Sequence, residues 1–533
     1  MTAPQIVSST LVVGMEVHVE LSTRRKMFSG APSPAAAGGQ GFGEHDAPPN
    51  SLLDPVVLGL PGALPVMNRA AVEMSMLVGL ALNCSIGRRP VWDRKSYFYP
   101  DMPKAYQISQ YQLPLCFDGS FDLPAPDERG FPDPARPGAR IGIIRAHLEE
   151  DAGKLLHDAP GGGAIDFSIL DLNRAGTPLL EIVTHPDFRS AEQCVLFAKL
   201  LRATCRLLGV TEGDMQRGHM RFEPNINCVL ALADGREVRT PIVEVKNLNS
   251  FRSLKGAIEF EHAEQPRRWL ADRREMGPGA KVTRGWDDAR AVTFPQREKE
   301  DAHDYRYFPD PDLPPVAIDD DWRERVRLRV PELPAARLRR YTTDANLPAK
   351  EAFALIDEPD TCRFYEDAVD ALVALDIERS RAGKLAANWV LGACAKRANE
   401  RGGHAHDVGL SPACLAGIAK LREDARLSNQ GADELFTTLC DLAAHERDPR
   451  EALALAERVA AERALLIVRD DAALGRWIEQ VFAANPKVVD DVRGGKVAAA
   501  GRLVGEVMKL AGGTADAKGV REEILRRLGQ NPG

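Results

Sequence analysis

Near Pro331 the hydrophobic pattern of this 533-residue chain changes period. Before that point, apolar residues come in short runs bounded by Gly, Pro, Asn and Asp, the pattern of strands. LVVGMEVHVEL, ARIGIIRAHL, LLEIVTH, NINCVLALA and TPIVEVKN are such runs. Beyond it, Ala, Leu, Arg and Glu recur at helical spacing, and helices are expected over 380–401, 411–424, 448–468, 471–485, 496–513 and 518–529. Ser411-Pro412 and Asp448-Pro449 each join an N-cap residue to a first-turn proline, which sharpens two of these starts. The two periods in succession predict an α+β chain. Residues 1–330 form a domain with a large antiparallel or mixed sheet, followed by an all-α region in two parts, 331–407 and 408–533. Two helices interrupt the strand-rich half, at 68–82 and 190–209, the second with a Ser start and a Gly stop. The stretches 30–50 and 118–138 read as loops.

The gross properties narrow the setting. A chain this long exceeds one core. No run approaches the ~18 apolar residues of a membrane helix, and the N-terminus lacks the pattern of a secretory signal. Nine scattered cysteines without a CxxC pair fit reduced thiols, hence a cytoplasmic protein without a membrane partner. The net charge of −8 argues against blanket nucleic-acid affinity and leaves room for a local basic groove.

Polar residues sit inside the strand runs, where an unpaired charge is costly. If GMEVHVEL (14–21) is a strand, Glu16, His18 and Glu20 share one face, and Val13, Met15, Val17, Val19 and Leu21 the other. Such a face lines a polar cavity, offers metal ligands, or simply meets water. HLEEDAGK (147–154) carries three successive acids, and LLEIV (179–183) places Glu181 within an apolar run. With His18 and Glu150, Glu181 could hold a hard divalent ion such as Mg²⁺, which prefers carboxylate oxygen. The competing account is a buried ion pair with Lys154 or Arg174.

DRKSYFYPDMPKAYQ (93–107) interleaves Arg94, Lys95 and Lys104 with Tyr97, Tyr99 and Tyr106. Cations neutralise phosphate and aromatic faces stack on unpaired bases; a tyrosine-rich loop over a sheet edge is the alternative. Asn173 with Arg174, and Lys246 with Asn247 and Asn249, would suit phosphate oxygens or a polar substrate, or else form turns. No GxxxxGK[ST], HExxH, GxSxG or GxGxxG occurs in a suitable context, so nucleotide chemistry here needs a non-P-loop site.

Taken in order from Gly14 to LVGEVMK (503–509), these segments resemble the GatB/GatE family of tRNA-dependent amidotransferase subunits, in its B-type form. The resemblance implies work with an amidase-type A subunit, which releases ammonia from glutamine, and a small C subunit. It implies ATP- and Mg²⁺-dependent phosphorylation of the side-chain carboxylate of Glu-tRNA(Gln) or Asp-tRNA(Asn). Ammonia arriving through a polar channel then displaces the phosphate. By motif position the metal ligands would be His18, Glu150 and Glu181, with Glu16 lining the site. Lys95, Tyr97, Tyr99 and Lys104 would face the nucleotide or the tRNA 3′ end, and Asn173, Arg174, Lys246 and Asn249 would complete the cavity. The strand-rich half resembles the family's cradle domain, and the helical half its connector and YqeY-like tail.

The chain departs from the family pattern twice. Where many relatives carry four zinc-binding cysteines, it has Ser29, Ala31, Asp54 and Val57, so no zinc is expected and packing must hold that lobe. In GHMRFEPNINCVL (218–230), Phe222, Glu223 and Pro224 replace the usual residues, which weakens the assignment of substrate contacts there. The E-type paralogue carries an inserted domain for which no room exists after 299–315. Two other functions compete: a tRNA scaffold without catalysis, and a free-standing Mg²⁺-dependent carboxylate phosphotransferase.

Overall fold

A computed structural model of the chain describes residues 5–36, 47–133, 136–158, 163–296, 305–467, 471–511 and 517–529. Parts of the expected loops at 30–50 and 118–138 and of the 299–315 segment lie outside these. The chain divides into two compact units, Met1–Arg339 and Arg340–Gly533. The first is strand-rich and the second all-helical, so the α+β class holds.

The first unit has strands β1 (Ile6–Glu20), β2 (Ser85–Ile86), β3 (Asp93–Ser96), β4 (Tyr106–Ser109), β5 (Cys116–Leu123), β6 (Ala139–Glu150), β7 (Lys154–Asp158) and β8 (Ala164–Asp171). They are followed by β9 (Pro178–Thr184), β10 (Met220–Leu232), β11 (Glu237–Arg239), β12 (Val243–Lys246), β13 (Val282–Asp287), β14 (Val292–Pro295) and β15 (Phe308–Pro309). Ten of them form one sheet, ordered β14-β13-β12-β10-β1-β9-β6-β5-β2, with β11 also on β10. Its pairings are antiparallel except β12 with β13, so the sheet is mixed. Small sheets β15-β3-β4 and β7-β8 accompany it.

Alternation along the central strands decides which face is dry. Val13, Met15, Val17 and Val19 of β1 are each at most 1% exposed, as are Leu148 of β6, Leu180 and Ile182 of β9 and Phe222 of β10. Each such side chain contributes roughly 1.5–3 kcal/mol by leaving water. Helices α1 (Arg69–Ala81), α2 (Ala191–Leu207) and α3 (Phe251–Asp272) pack against the sheet. Phe197 of α2 meets Phe121 and Phe188, and Phe251 of α3 meets Phe222. The side chains of Asn68, Ser190 and Ser250 accept amide hydrogens of the first helical turns, which satisfies donors that would otherwise be orphaned.

Two differences from the sequence-based expectation are informative. The segment 118–138 is not wholly loop, because β5 runs to Leu123 and pairs with β6. Helix α3 carries no clear apolar period. Its buried face includes Glu261 and Gln265, and Pro266 lies inside it. Proline cannot donate to the carbonyl four residues back, and that carbonyl, of His262, lies 4.0 Å from the Cys228 thiol. Glu261 is fully buried and accepts from Thr293, Gln265 and Arg268, the partners that such burial demands.

Around Ser29, Ala31, Asp54 and Val57 the chain makes apolar and backbone contacts. Ala31 and Val57 pack with Leu172 and Ala175 in a small apolar cluster. Asp54 Oδ1 accepts the amides of Val56 and Val57 at 3.0 and 2.9 Å. Lys26 is wholly buried beside them, and its ammonium donates to the Ala175 carbonyl at 2.7 Å. In the second unit, the expected helix over 380–401 is interrupted by a wide turn at Val390–Cys394 and ends at Gly402 in the left-handed conformation.

Candidate active site

Four strands carry one row of polar residues across the other face of the sheet. His147 of β6 lies opposite Glu181 of β9, Glu181 opposite His18 of β1, and His18 opposite Arg221 of β10. Side chains paired this way stand about 4.5–5.5 Å apart. Glu16 and Glu149 flank the row, each two residues from its histidine and therefore on the same face.

The side chains converge. His18 Nε2 lies 3.5 Å from Glu16 Oε1, 3.5 Å from Glu181 Oε2 and 4.0 Å from Glu149 Oε1. His18 Nδ1 lies 3.8 Å from Glu223 Oε1, and His147 Nε2 lies 3.8 Å from Glu181 Oε2. Glu16, His18 and Glu181 offer ligand atoms within 4.8 Å of one another, as do His147, Glu149 and Glu181. Two carboxylates and an imidazole suit a hard divalent ion that keeps some of its water. Nδ1 of both histidines is buried without a hydrogen-bond partner, an arrangement natural at a site that takes a ligand.

The electrostatics are those of a functional cluster. Burial opposes a charge on His18, but the hydrogen bond to Glu181 and the charges of Glu223 and Glu181 outweigh it and push the group up to about 9. Burial pushes His147 down to about 4. Burial and the charge of Glu181 push Glu149 up to about 7. Burial also works against ionisation of Glu181, yet the two histidines and Lys95 hold it well below the usual carboxylate range. Burial would lower Lys95, but Glu149 and Glu181 push it up to about 12.

The expected residues are distributed unevenly. Glu16, His18, Glu181 and Lys95 come together. Lys246 borders them, pairing with Glu223 and, at 2.8 Å, with Glu244. Glu150 does not join His18 and Glu181. It is one residue out of phase on β6, and its carboxylate accepts from Lys104 and from the Ile108 amide at 3.0 Å. Glu149, its neighbour on β6, faces His18 instead, at 4.0 Å. Lys104 is thereby engaged by Glu150 and lies 5.3 Å from the Tyr106 ring.

Asn173 is buried and holds the neighbouring loop through Leu52 N and Pro48 O. Arg174 binds the carbonyls of Ala152 and Gly153. Asn249 is exposed and lines a different hollow, with Arg202, Arg206 and Arg217. Arg174 also lies 3.4 Å from Asp151, the carboxylate that Arg221 binds, and so borders the row. Tyr97 and Tyr99 meet edge to face, with Tyr99 exposed.

Several residues of the site were not anticipated. His147 and Glu149 repeat, in HLE, the alternating spacing of EVH in β1, and that was the available signal. Arg221 donates to Asp151 at 2.9 Å. Tyr111 stacks on Tyr307 at 4.4 Å, and Tyr305 meets Tyr307 edge to face. The Lys95 ammonium lies 4.7 Å over Tyr305, and the Arg145 guanidinium 5.6 Å over Tyr111. Along the same face a groove of about 750 Å³ continues past Gly14, Val12, Asn225 and Asn227.

Comparison with known proteins agrees in extent. Residues 11–324 match the family model described as the GatB/GatE catalytic domain, and residues 372–528 match the GatB domain. The chain is 40% identical over 501 residues to a Rhodopirellula baltica protein, covering 94% of this chain and 93% of the relative. It is 41% identical over 519 residues to one from Thermomicrobium roseum, covering 97% and 98%. It is 40% identical over 519 residues to one from Burkholderia ambifaria, covering 97% and 99%. All three relatives are named as the B subunit of an aspartyl/glutamyl-tRNA(Asn/Gln) amidotransferase. With both family models matched in order and the likeness spanning nearly the whole length, the chain belongs to the GatB/GatE family.

Proposed function

We propose that this chain is the subunit of a tRNA-dependent amidotransferase that activates the side-chain carboxylate of a mischarged tRNA, Glu-tRNA(Gln) or Asp-tRNA(Asn), for amidation. The observation that carries this reading is the buried in-register row His147–Glu181–His18–Arg221 with Glu16 and Glu149 beside it. A carboxylate is a poor acyl donor because oxide would have to leave. Its oxygen attacks the γ-phosphorus of ATP, the bond to the bridging oxygen breaks, and ADP departs. Ammonia then adds to the acyl carbon, loses a proton, and the C–O bond to phosphate breaks.

Glu16, His18 and Glu181, with Glu149, would hold Mg²⁺, which supplies charge neutralisation at the transferring phosphoryl group. Lys95, held cationic by Glu149 and Glu181, brings a fixed positive charge to the same face. The tyrosines around it offer stacking surfaces to a nucleobase, and Arg145 and Arg221 add guanidinium donors. Ammonia comes from an amidase-type A subunit, with a small C subunit completing a cytoplasmic heterotrimer. The helical residues 331–407 serve as connector and 408–533 as a tail on the tRNA body. Among the described residues no helix is long and apolar enough to cross a membrane.

The test is reconstitution with A and C subunits, ATP, glutamine and each mischarged tRNA, following Gln-tRNA or Asn-tRNA formation. Amide formed only with tRNA, and lost in Glu181→Gln, is the expected result. Phosphorylation of free glutamate without tRNA would favour the small-molecule phosphotransferase instead. Unchanged activity in Glu181→Gln would remove the metal assignment.

A further inference from the structure

We propose that the chain has a further binding site, for a small organic carboxylate, in a cavity between α3 and strands β12, β13 and β14, with Arg268, Arg284 and Trp269 as the recognising groups. The cavity holds about 250 Å³, less than the roughly 300 Å³ at which pockets for drug-sized ligands begin, so it suits a small molecule. It lies on the far side of the sheet from the polar row. Along β10 the even-numbered residues Phe222 and Cys228 pack with Phe251 and Trp269 of α3, whereas Arg221 of the row belongs to the other face.

Charge is unbalanced there. Arg268, Arg274 and Arg284 line the cavity, with Asp272 as the one carboxylate among its lining residues. Behind the wall, fully buried Glu261 is shared, pairing with Arg268 and lying 3.5 Å from Arg284. Three guanidiniums thus meet two carboxylates, and Arg273, 4.6 Å over the Trp269 ring, adds to the positive field. The Arg268 and Arg284 side chains are only 33% and 19% exposed, so water screens the excess incompletely. Burial and the charge of Arg268, against that of Glu261, push Arg284 down from its ordinary range.

Donors also exceed acceptors. The described hydrogen bonds of Arg284 use Nε and Nη2, both to Thr293, and that of Arg268 uses Nη2, which leaves Nη1 of each. Trp269 is 3% exposed, and its indole Nε1 has no hydrogen-bond partner among the described residues. A buried donor without an acceptor costs free energy. A carboxylate brings acceptors alone, in a plane that matches a guanidinium fork. Glu261 and Thr293 already hold the two arginines in place, which lowers the cost of binding. Pro241, Val243, Val282 and Pro295 on the same wall suit a hydrocarbon body better than a hydrated inorganic anion.

Benzoate is the probe, with benzamide as its neutral counterpart and inorganic phosphate as a second anion. The full chain carrying isotopically labelled tryptophan is titrated with each, and the Trp269 indole signal is the one lost in Trp269→Phe. A saturable shift of that signal with benzoate, and none with benzamide or phosphate, is expected. By calorimetry, Trp269→Phe should weaken benzoate binding about tenfold, the loss of one charge-assisted hydrogen bond. Arg274→Gln, at an exposed position, should weaken it severalfold, so that a folding fault in the first variant cannot decide the matter. Equal shifts with benzamide would overturn anion recognition, and a response to phosphate alone would overturn the carboxylate class. No saturable shift with any of the three, or unchanged affinity in both variants, would overturn the site itself. Each of these failures leaves the reaction proposed for the polar row standing.

Discussion

Glu149 and Glu150 are neighbours in sequence with the same chemistry, yet the fold gives them opposite duties. Glu149 faces His18, whereas Glu150 is clamped between Lys104 and the Ile108 amide. Glu149→Gln should therefore reduce ATP-dependent activation roughly a hundredfold or more while leaving the melting temperature nearly unchanged. Glu150→Gln should instead lose about 3–5 kcal/mol of stability, because it leaves Lys104 buried without its counter-charge. Denaturation curves and activity measured side by side separate the two; equal effects in both assays would contradict the assignment. Lys26 gives a second prediction at this scale. Burial pushes its ammonium down to about 8, against the charges of Asp54, Asp171 and Glu150, from an ordinary 10.5. Between those values the native state binds fewer protons than the unfolded chain, so this contribution to stability rises with pH. Urea unfolding of the wild type relative to Lys26→Met should gain up to about 1.4 kcal/mol per pH unit above pH 8. A pH-independent difference would show that Lys26 is not desolvated.

At the scale of elements, alternation made β1 legible in the sequence alone. Its buried and polar faces are those expected, because a period of two needs only local sequence. The partner of each face was not legible, since register between distant strands leaves no local trace. Glu150 is the example: HLEEDAGK supplies three acids in a row, and only the pairing of β6 with β9 decides which of them shares a face with Glu181. Helix α3 was hidden by its polar buried face and its proline. Helix α1 yields an element-scale prediction. A β-carbon at Gly79 would crowd Cys116 Sγ and stand 2.9 Å from its Cβ, and Cys116 is fully buried. Alanine is favoured over glycine in helices by about 1 kcal/mol, but overpacking costs about 1–3 kcal/mol. Gly79→Ala should thus lower the melting temperature; a rise would mean that α1 shifts freely on β5.

At the scale of the whole molecule, the fold divides the chain between Arg339 and Arg340. Every member of the polar cluster belongs to the first unit. A fragment of residues 1–339 should accordingly bind Mn²⁺ with the affinity of the full chain, as read by titration calorimetry. A large loss of affinity would show that the helical unit contributes to the centre. Family membership was legible because several long motifs keep their order, whereas the participation of His147 and Arg221 was not, because it depends on strands far apart in the chain.

The row of site residues also constrains how the molecule comes into being. β1 pairs with β10, about two hundred residues later, and β6 and β9 are made between them. Pairings of such separation are slow to form. On the ribosome the row therefore cannot be completed until Arg221 on β10 has emerged, and until then β1 can pair along one edge only, with β9. A pause or truncation between β9 and β10 would release a chain with Glu16, His18 and Glu181 already made but the central sheet left open at β1, an unpaired edge that chaperones and proteases would meet.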